Sequence, residues 1–225
     1  MKNRYVIAIL LGFTFCSGST KTVTQDPMTY LALGDSYTIG EGVKLSEGWP
    51  AQLAARLTEG GIAVQTPKII ARTGWRTDNL IAAIEAEALT EKYDFVSLLI
   101  CVNNQFQGKS IDTYKKDLKA LLNTAISLCK NGKSSVFVLS IPDYGSTEFG
   151  KLERETIGKE IDEWNAACKA VCDEFEIPFF DITQVSKRAS SEPGLTVKDN
   201  LHPSKKMYAL WVDQIYEPVR NLLSK

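Results

Sequence analysis

Short apolar stretches alternate with longer stretches of helical periodicity along most of the chain. The apolar stretches end at Gly, Pro, Asn or Asp, which is typical of buried strands, whereas the longer stretches repeat apolar residues at the three- and four-residue spacing of amphipathic helices. This alternation predicts an α/β fold in which a parallel sheet of about five strands lies between two layers of helices. The predicted strands are 30–36, 64–71, 93–102, 135–141 and 178–182, and the predicted helices are 49–57, 79–90, 111–130, 153–175 and 205–223.

Several predicted loops carry residues that are suited to chemistry. Ser36 ends the first strand, Gly74 follows the second, and Asn103 follows the third, while Asp199 and His202 lie in the loop before the last helix. Open α/β folds bind ligands outside the carboxyl ends of their strands. We therefore expect these loops to converge at one edge of the sheet.

Ser36 is a candidate nucleophile, provided that a base can take its proton. His202 is the only histidine in the chain, so it is the only imidazole that could serve. Asp199 lies three residues before it, which places the two side chains within reach on one tight turn. A carboxylate on Nδ1 would hold the imidazole in the tautomer that a general base needs.

An acyl-transfer site also needs donors for the developing oxyanion, and each donor is typically worth ~100–1000-fold in rate. The N–H groups of Ser36 and Gly74 and the side-chain amide of Asn103 all belong to loops at the predicted edge. The Gly-x-Ser-x-Gly elbow of the α/β-hydrolases is absent around Ser36, so the sequence predicts a different α/β architecture.

These stretches resemble the SGNH hydrolases, also called GDSL esterases and lipases, over about residues 30–222. The first family block is matched by Gly-Asp-Ser-Tyr-Thr at 34–38, the glycine of the second by Gly74, the third by Cys-Val-Asn-Asn at 101–104, and the fifth by Asp-Asn-Leu-His at 199–202. The resemblance implies a flavodoxin-like α/β/α sandwich and metal-independent cleavage of acyl esters, lysophospholipids, thioesters or acetylated sugars, without a cofactor.

The resemblance also assigns roles to individual residues. It implies that Ser36 is the nucleophile, His202 the base and Asp199 the residue that orients the base. Ser36, Gly74 and Asn103 would form the oxyanion hole.

The third block departs from the family pattern Gly-x-Asn-Asp at two positions. Asn104 replaces the aspartate, and we expect a mild effect because that residue is not the oxyanion donor. Cys101 replaces the glycine, where close packing or an unusual φ can require the absence of a side chain. We therefore expect Cys101 to lie near the site and to tune the pocket.

The leading functional interpretation is a serine ester hydrolase that works through an acyl-enzyme. A carbohydrate O-acetylesterase or an acyltransferase with the same triad is the alternative among enzymes. A surface-anchored binding protein with lost or weak catalysis is the alternative of another class, motivated by Cys101 and by the lipid anchor that the N-terminal segment suggests. Four aromatic residues are candidates for an acyl or sugar site or for the core: Trp49, Trp75, Phe106 and Tyr144.

The first twenty residues have the pattern of an export signal. Lys2 and Arg4 precede the apolar stretch 5–15, which is too short for an ordinary membrane span. Cys16 follows directly, as in bacterial lipoproteins that are lipidated at this cysteine, although Phe15 departs from their small-residue preference. We expect residues 1–20 to be a signal peptide or lipoprotein signal, residues 28–225 to be the hydrolase domain, and the protein to be periplasmic or membrane-anchored.

Composition narrows the set of partners. The net charge of −1, without a cluster of Lys and Arg, gives no support to nucleic-acid binding. The chain has neither a second histidine nor a Cys-x-x-Cys pair, so a metal site is poorly supported. We expect buried free thiols at the four cysteines beyond Cys16, which are Cys101, Cys129, Cys168 and Cys172.

Overall fold

A computed structural model describes residues 26–224. Five parallel strands form one sheet in the order β2-β1-β3-β4-β5. The three-layer α/β/α fold predicted from the sequence is confirmed. The strands are β1 (Tyr30–Gly34), β2 (Lys68–Ala71), β3 (Phe95–Leu99), β4 (Val136–Leu139) and β5 (Phe179–Phe180).

The described residues contain five long helices and three short ones. The long helices are α2 (Trp49–Glu59), α3 (Thr77–Glu87), α5 (Ile111–Leu128), α6 (Arg154–Phe175) and α8 (Lys205–Leu223), and the short ones are α1 (Ser36–Ile39), α4 (Val102–Phe106) and α7 (Thr183–Ser186). Helices α2 and α8 pack together as one layer, whereas α5 packs against both α3 and α6 in the other. None of the helices in the described part of the chain is long and apolar enough to cross a membrane.

The strand order places the site. β1 and β3 are neighbours in the sheet, with Gly34 opposite Leu99, but the chain leaves them toward different parts of the fold. In the flavodoxin-like order, this pair is the point at which the strand sequence reverses, and ligands bind in the crevice beyond it. β1 leads directly into α1, and β3 leads into α4, so these two short helices border the crevice.

The sheet centre is apolar on both faces. Every residue of β1 and β3 is buried, as expected of central parallel strands covered by helices. The rings of Tyr30 and Phe95 stack at 4.2 Å across the two strands, and the Tyr30 hydroxyl hydrogen-bonds Ser97 at 2.8 Å. The buried hydroxyl therefore keeps the partner that a polar group in the core needs.

Some element boundaries differ from the sequence prediction. The third strand was predicted over 93–102, but it ends at Leu99, and Val102 already begins α4. The second begins at Lys68 instead of 64, because Pro67 has no N–H to extend the ladder, and Val64 forms only an isolated bridge with Met28. Segment 183–203, where the sequence predicts neither a strand nor a helix, contains α7 and a 3₁₀ turn at 187–190.

The four cysteines within the described residues are buried free thiols, as the sequence predicts. Cys16 and the predicted export signal lie outside the described residues.

Candidate active site

Ser36 is the first residue of α1, at the point where β1 turns into the helix. The turn is tight, because a Cβ at Gly34 would lie 2.1 Å from Thr38 Oγ1 and 2.3 Å from the carbonyl oxygen of Leu99. Asp35 caps the helix by accepting a 3.0 Å hydrogen bond from the N–H of Tyr37. The Gly-Asp-Ser sequence thus sets the serine at the carboxyl edge of the sheet.

Asp199 holds both the ring and the backbone of His202. Its Oδ2 lies 2.7 Å from His202 Nδ1, and its Oδ1 accepts the N–H groups of Leu201 and His202 at 2.9 Å each. Partial burial opposes ionisation of Asp199, but the hydrogen bonds from His202 and Leu201 outweigh it and lower the pKa of the carboxyl. An ionised carboxylate at Nδ1 requires a proton there and leaves Nε2 as the basic nitrogen.

Both the backbone and the ring of His202 have further neighbours. The N–H of Val197 donates to the carbonyl of His202 at 2.9 Å, and the Tyr37 ring lies 5.9 Å from the imidazole. The His202 side chain is 12% exposed, whereas that of Asp199 is 42% exposed. The ring therefore faces the interior of the site, and the carboxylate lies behind it toward solvent.

Gly74 lies in the loop between β2 and α3. Its φ is +81°, a conformation that glycine adopts without the penalty of a side chain, although a Cβ there would meet no atom within 4 Å. The Asn103 amide donates to the carbonyl of Trp75 at 3.0 Å, which ties this loop to α4. A side-chain amide carries two N–H groups, so one of those on Asn103 remains for a ligand.

Asn104 does not face the site. It is buried, accepts the N–H of Thr77 at 3.1 Å and donates to the Thr77 hydroxyl at 2.8 Å. That hydroxyl itself donates to Asp117 at 2.7 Å, so it needs a donor as its other neighbour. The amide at position 104 supplies this donor, which an ionised aspartate lacks.

Cys101 adopts φ +136° just before α4, a backbone conformation that side chains rarely take. Its side chain is fully buried, and burial raises the pKa of the thiol well above its usual value, with Cys168 adding to the shift. The thiol therefore does not line the cavity. Cys101 adjoins it only through the backbone that leads to Val102 and Asn103.

Ser36, Gly74, Asn103 and His202 border one cavity of about 150 Å³. Within the described chain, Ser36 Oγ makes no hydrogen bond, so the hydroxyl is free to turn toward the imidazole that shares its cavity. Hydrogen bonds between catalytic groups are often long until substrate binds. The remaining lining residues are Tyr37, Thr73, Val102, Phe106, Tyr144, Phe149 and Leu201.

The aromatic candidates divide between the site and the core. Phe106 and Tyr144 line the cavity, whereas Trp49 is completely buried elsewhere and Trp75 is partly buried outside the lining. Phe149 also lines the cavity, although no sequence pattern predicted it, and its N–H donates to the carbonyl of Asn200 at 3.1 Å. The available sequence signal was a single phenylalanine among the polar residues and glycines of segment 145–151.

The family model of the GDSL-like Lipase/Acylhydrolase family matches residues 32–210. No curated protein matches the chain in sequence. Among solved structures, TesA is 19% identical with a TM-score of 0.69, covering 86% of this chain and 99% of its own. The esterase EstA from Pseudoalteromonas sp. is 18% identical with a TM-score of 0.62, covering 88% and 99%.

The acetylxylan esterase Axe2 from Geobacillus stearothermophilus is 18% identical with a TM-score of 0.67, covering 85% of this chain and 94% of its own. At these identities the solved structures establish a shared fold. The family model covers most of the chain and includes the positions of Ser36, Gly74, Asn103, Asp199 and His202. The chain therefore belongs to the GDSL-like lipase/acylhydrolase family of carboxylic ester hydrolases.

Proposed function

We propose that the protein hydrolyses acyl esters with Ser36 as nucleophile, His202 as general base and acid, and Asp199 as the residue that orients the base. The observation that carries this proposal is the 2.7 Å contact between His202 Nδ1 and Asp199 Oδ2, in a ring that borders the same cavity as Ser36. The contact fixes the tautomer in which Nε2 can accept a proton.

The reaction then runs in two halves. Ser36 Oγ attacks the ester carbonyl carbon while His202 Nε2 takes the hydroxyl proton, and the imidazolium returns that proton to the leaving alcohol oxygen. Water attacks the resulting acyl-enzyme with His202 again as base, and collapse of the second tetrahedral intermediate frees the acid and Ser36. No cofactor enters either half.

The oxyanion of both intermediates would be held by three donors. The N–H of Ser36 is the first of α1 and has no acceptor within that helix. The N–H of Gly74 and the second N–H of Asn103 Nδ2 complete the set. Two of these groups belong to backbone and the third is tied to Trp75, so little reorganisation is needed when charge develops.

The cavity lining favours an ester of an apolar acid over an O-acetylated sugar. Apart from the proposed catalytic and oxyanion residues, most of the lining is aromatic or aliphatic. The arrangement of Ser36, His202 and Asp199 also argues against a binding protein without catalysis, since a binding role does not need an oriented base.

We infer from the sequence of residues 1–20 that the protein is exported from a bacterial cell, either into the periplasm or as a lipoprotein attached to the membrane through Cys16. An intact mass from the membrane fraction tests this. A mass increase on a chain that begins at Cys16 supports the lipoprotein, and a cleaved chain without lipid supports simple secretion.

The proposed reaction is tested by hydrolysis of p-nitrophenyl esters together with labelling by a fluorophosphonate. We expect turnover and a covalent adduct on Ser36, and the loss of both in Ser36→Ala. Turnover that persists in Ser36→Ala would contradict the assignment of the nucleophile. A folded protein that neither turns over esters nor accepts the label would favour the binding alternative.

A further inference from the structure

Three aromatic rings form a wall on one side of the cavity. The ring centroids of Phe106, Tyr144 and Phe149 lie 6.1 to 6.4 Å from one another. Tyr144 is 6% exposed, whereas Phe106 and Phe149 are 58% and 51% exposed. The wall thus has one buried ring at its base and two adjacent rings open to solvent, and a contiguous exposed apolar patch beside a cleft is typical of a ligand-binding groove.

The base of the wall is held from outside the cavity. The Tyr144 hydroxyl donates to Gln105 Oε1 at 3.0 Å, and Gln105 Nε2 donates to Glu160 Oε2 at 2.5 Å. Glu160 belongs to α6 and is not among the cavity residues. Its carboxylate accepts only from the NH₂ end of the Gln105 amide, so it fixes which end of that amide faces Tyr144.

The position of the wall indicates which part of an ester it meets. Phe106 follows Asn103 by three residues on α4, so both side chains point from the same side of that helix toward the cavity. In the proposed reaction the carbonyl oxygen lies at Asn103 and the leaving oxygen at His202. The remaining substituent of the carbonyl carbon is the acyl group, and Phe106, on the same side of α4 as Asn103, is placed to contact it.

The cavity volume sets a scale for that group. Its volume is about 150 Å³, and most of its lining beyond the proposed catalytic groups is apolar. An apolar cavity of roughly 150 Å³ in another protein accepts a benzene molecule. An acyl group of about six carbons, or a phenylacyl group, fits this volume, whereas an acetyl group leaves most of the wall uncovered.

We propose that Phe106, Tyr144 and Phe149 form an acyl-binding wall that selects esters of apolar acids of about six carbons, and that Glu160, acting through Gln105, positions Tyr144 in it. This inference rests on the proposed function. Glu160 and Gln105 are positioning residues, since they do not touch the acyl group.

The first test compares p-nitrophenyl esters from acetate to dodecanoate, together with phenylacetate. We expect kcat/KM to peak near hexanoate and phenylacetate, and Phe106→Ala to lower the ratio of hexanoate to acetate kcat/KM about tenfold, which is the order of discrimination that a small apolar contact gives. A parallel series of acetate esters with alcohols of increasing length should change little in Phe106→Ala. If the alcohol series changes and the acyl series does not, the assignment of the wall to the acyl group is overturned.

The second test addresses the positioning residues. Gln105→Glu places a carboxylate against Glu160. We expect their repulsion to displace the side chain at position 105, and Tyr144 with it, and so to lower the hexanoate-to-acetate ratio of kcat/KM several-fold. Adding Glu160→Gln should restore the ratio, because the carboxylate then at position 105 accepts from both Tyr144 and the amide at position 160. If Gln105→Glu acted only by lowering the stability of the protein, adding Glu160→Gln would not restore the acyl preference.

Two outcomes would overturn the inference, and they are distinguishable from failure of the proposed function. The inference is rejected if an active wild-type protein hydrolyses all the acyl esters with similar kcat/KM. It is also rejected if neither Gln105→Glu nor its combination with Glu160→Gln changes the acyl preference. In both cases Ser36-dependent turnover, and with it the proposed function, stands. Should Gln105→Glu fail to fold, Tyr144→Phe removes the hydrogen bond from Tyr144 to Gln105 and keeps the ring, and a smaller shift in the same direction is expected. No turnover of any ester would overturn the proposed function and the inference together.

Discussion

His202 Nδ1 and Asp199 Oδ2 lie 2.7 Å apart, and the second oxygen of the same carboxylate accepts the backbone N–H groups of Leu201 and His202. One aspartate therefore closes the turn and orients the imidazole. Because the two tasks use different oxygens, a substitution can remove the contact with the imidazole and keep the hydrogen bonds that close the turn.

We predict that Asp199→Asn preserves the fold but greatly lowers kcat. The amide oxygen can still accept the two backbone N–H groups, whereas the NH₂ group would face Nδ1 and favour the tautomer that is protonated on Nε2. Loss of the orienting carboxylate in a comparable triad costs roughly 10⁴-fold. Because Asp199 is 42% exposed, we expect about 10²- to 10⁴-fold here.

Kinetics on a p-nitrophenyl ester, with melting curves as the control for folding, check this prediction. A variant that keeps more than about half of the wild-type kcat would remove Asp199 from the proposed mechanism.

The backbone at Cys101 predicts an inverted order of stability between two small substitutions. At most buried positions glycine is less stable than alanine by about 0.5–1 kcal/mol. At φ +136°, however, alanine keeps the strain of a Cβ, which costs about 1–3 kcal/mol, and glycine releases it. Both variants lose the thiol, so their difference isolates the backbone term.

We expect Cys101→Gly to be more stable than Cys101→Ala by about 1–2 kcal/mol in urea unfolding. Equal stability, or a more stable alanine variant, would show that the position is not strained. The same two variants test whether position 101 tunes the active site. Relaxation of the backbone at position 101 would move the adjoining Val102 and Asn103, so the two variants should differ in kcat/KM for the same ester.

Burial of Asp35 predicts a stability that falls as the pH rises. Burial raises the pKa of this carboxyl to about 7, against the hydrogen bond from Tyr37 that lowers it, and the Oδ2 atom has no hydrogen-bond partner among the described residues. The folded state therefore holds this proton more tightly than the unfolded chain does. The contribution of the protonated Asp35 to the stability of the fold is complete below the unfolded pKa of about 4, and it is lost as the pH rises through the folded pKa of about 7.

Asp35→Asn removes this titration while its oxygen can still accept the Tyr37 N–H. Between pH 5 and pH 8 the wild type should lose about 2–3 kcal/mol relative to the variant, or roughly 5–10 °C in the difference between their melting temperatures. Melting curves of both proteins at the two pH values measure this difference. If the difference in melting temperature between the two proteins is the same at both pH values, or favours the wild type more at pH 8, Asp35 does not have a raised pKa in the folded protein.

The sequence predicts this fold well where burial alone decides the structure. The bounds of α8 are those expected from its apolar stripe, although Pro218 lies inside the helix. The alternation of strands and helices also gives the correct parallel sheet, because the central strands are covered on both faces. β5 is shorter than expected because it lies at the edge of the sheet and pairs only with β4.

The parts of the site that were missed depend on backbone conformation and on contacts distant in sequence. The apolar run of β3 continues through Cys101 and Val102, so periodicity does not show that the chain turns at Cys101 and begins α4. The glycine that the family carries there is the one sequence-level indication of such a turn. Phe149 reaches the cavity through a hydrogen bond to the loop of His202, which no local pattern encodes.

Restoring the family residue at position 104 should destabilise this protein. The Thr77 hydroxyl donates to Asp117 and accepts from Asn104, so Asn104→Asp would place a second acceptor against a hydroxyl whose single proton is already used. The new carboxylate would also be buried. We expect a loss of about 2–4 kcal/mol, as for a buried charged group without sufficient donors.

Asp117→Asn provides the matched partner for this experiment. Its amide could donate to the Thr77 hydroxyl, which would then give its proton to the carboxylate at position 104. Each single change removes a satisfied contact, whereas the double variant rebuilds the chain of hydrogen bonds in the reverse direction. The double variant should therefore be more stable than the sum of the two single losses predicts, by at least about 1 kcal/mol. Urea unfolding of the four proteins measures that term, and additive losses would mean that Asn104, Thr77 and Asp117 do not form the directed chain that holds α4 against α3.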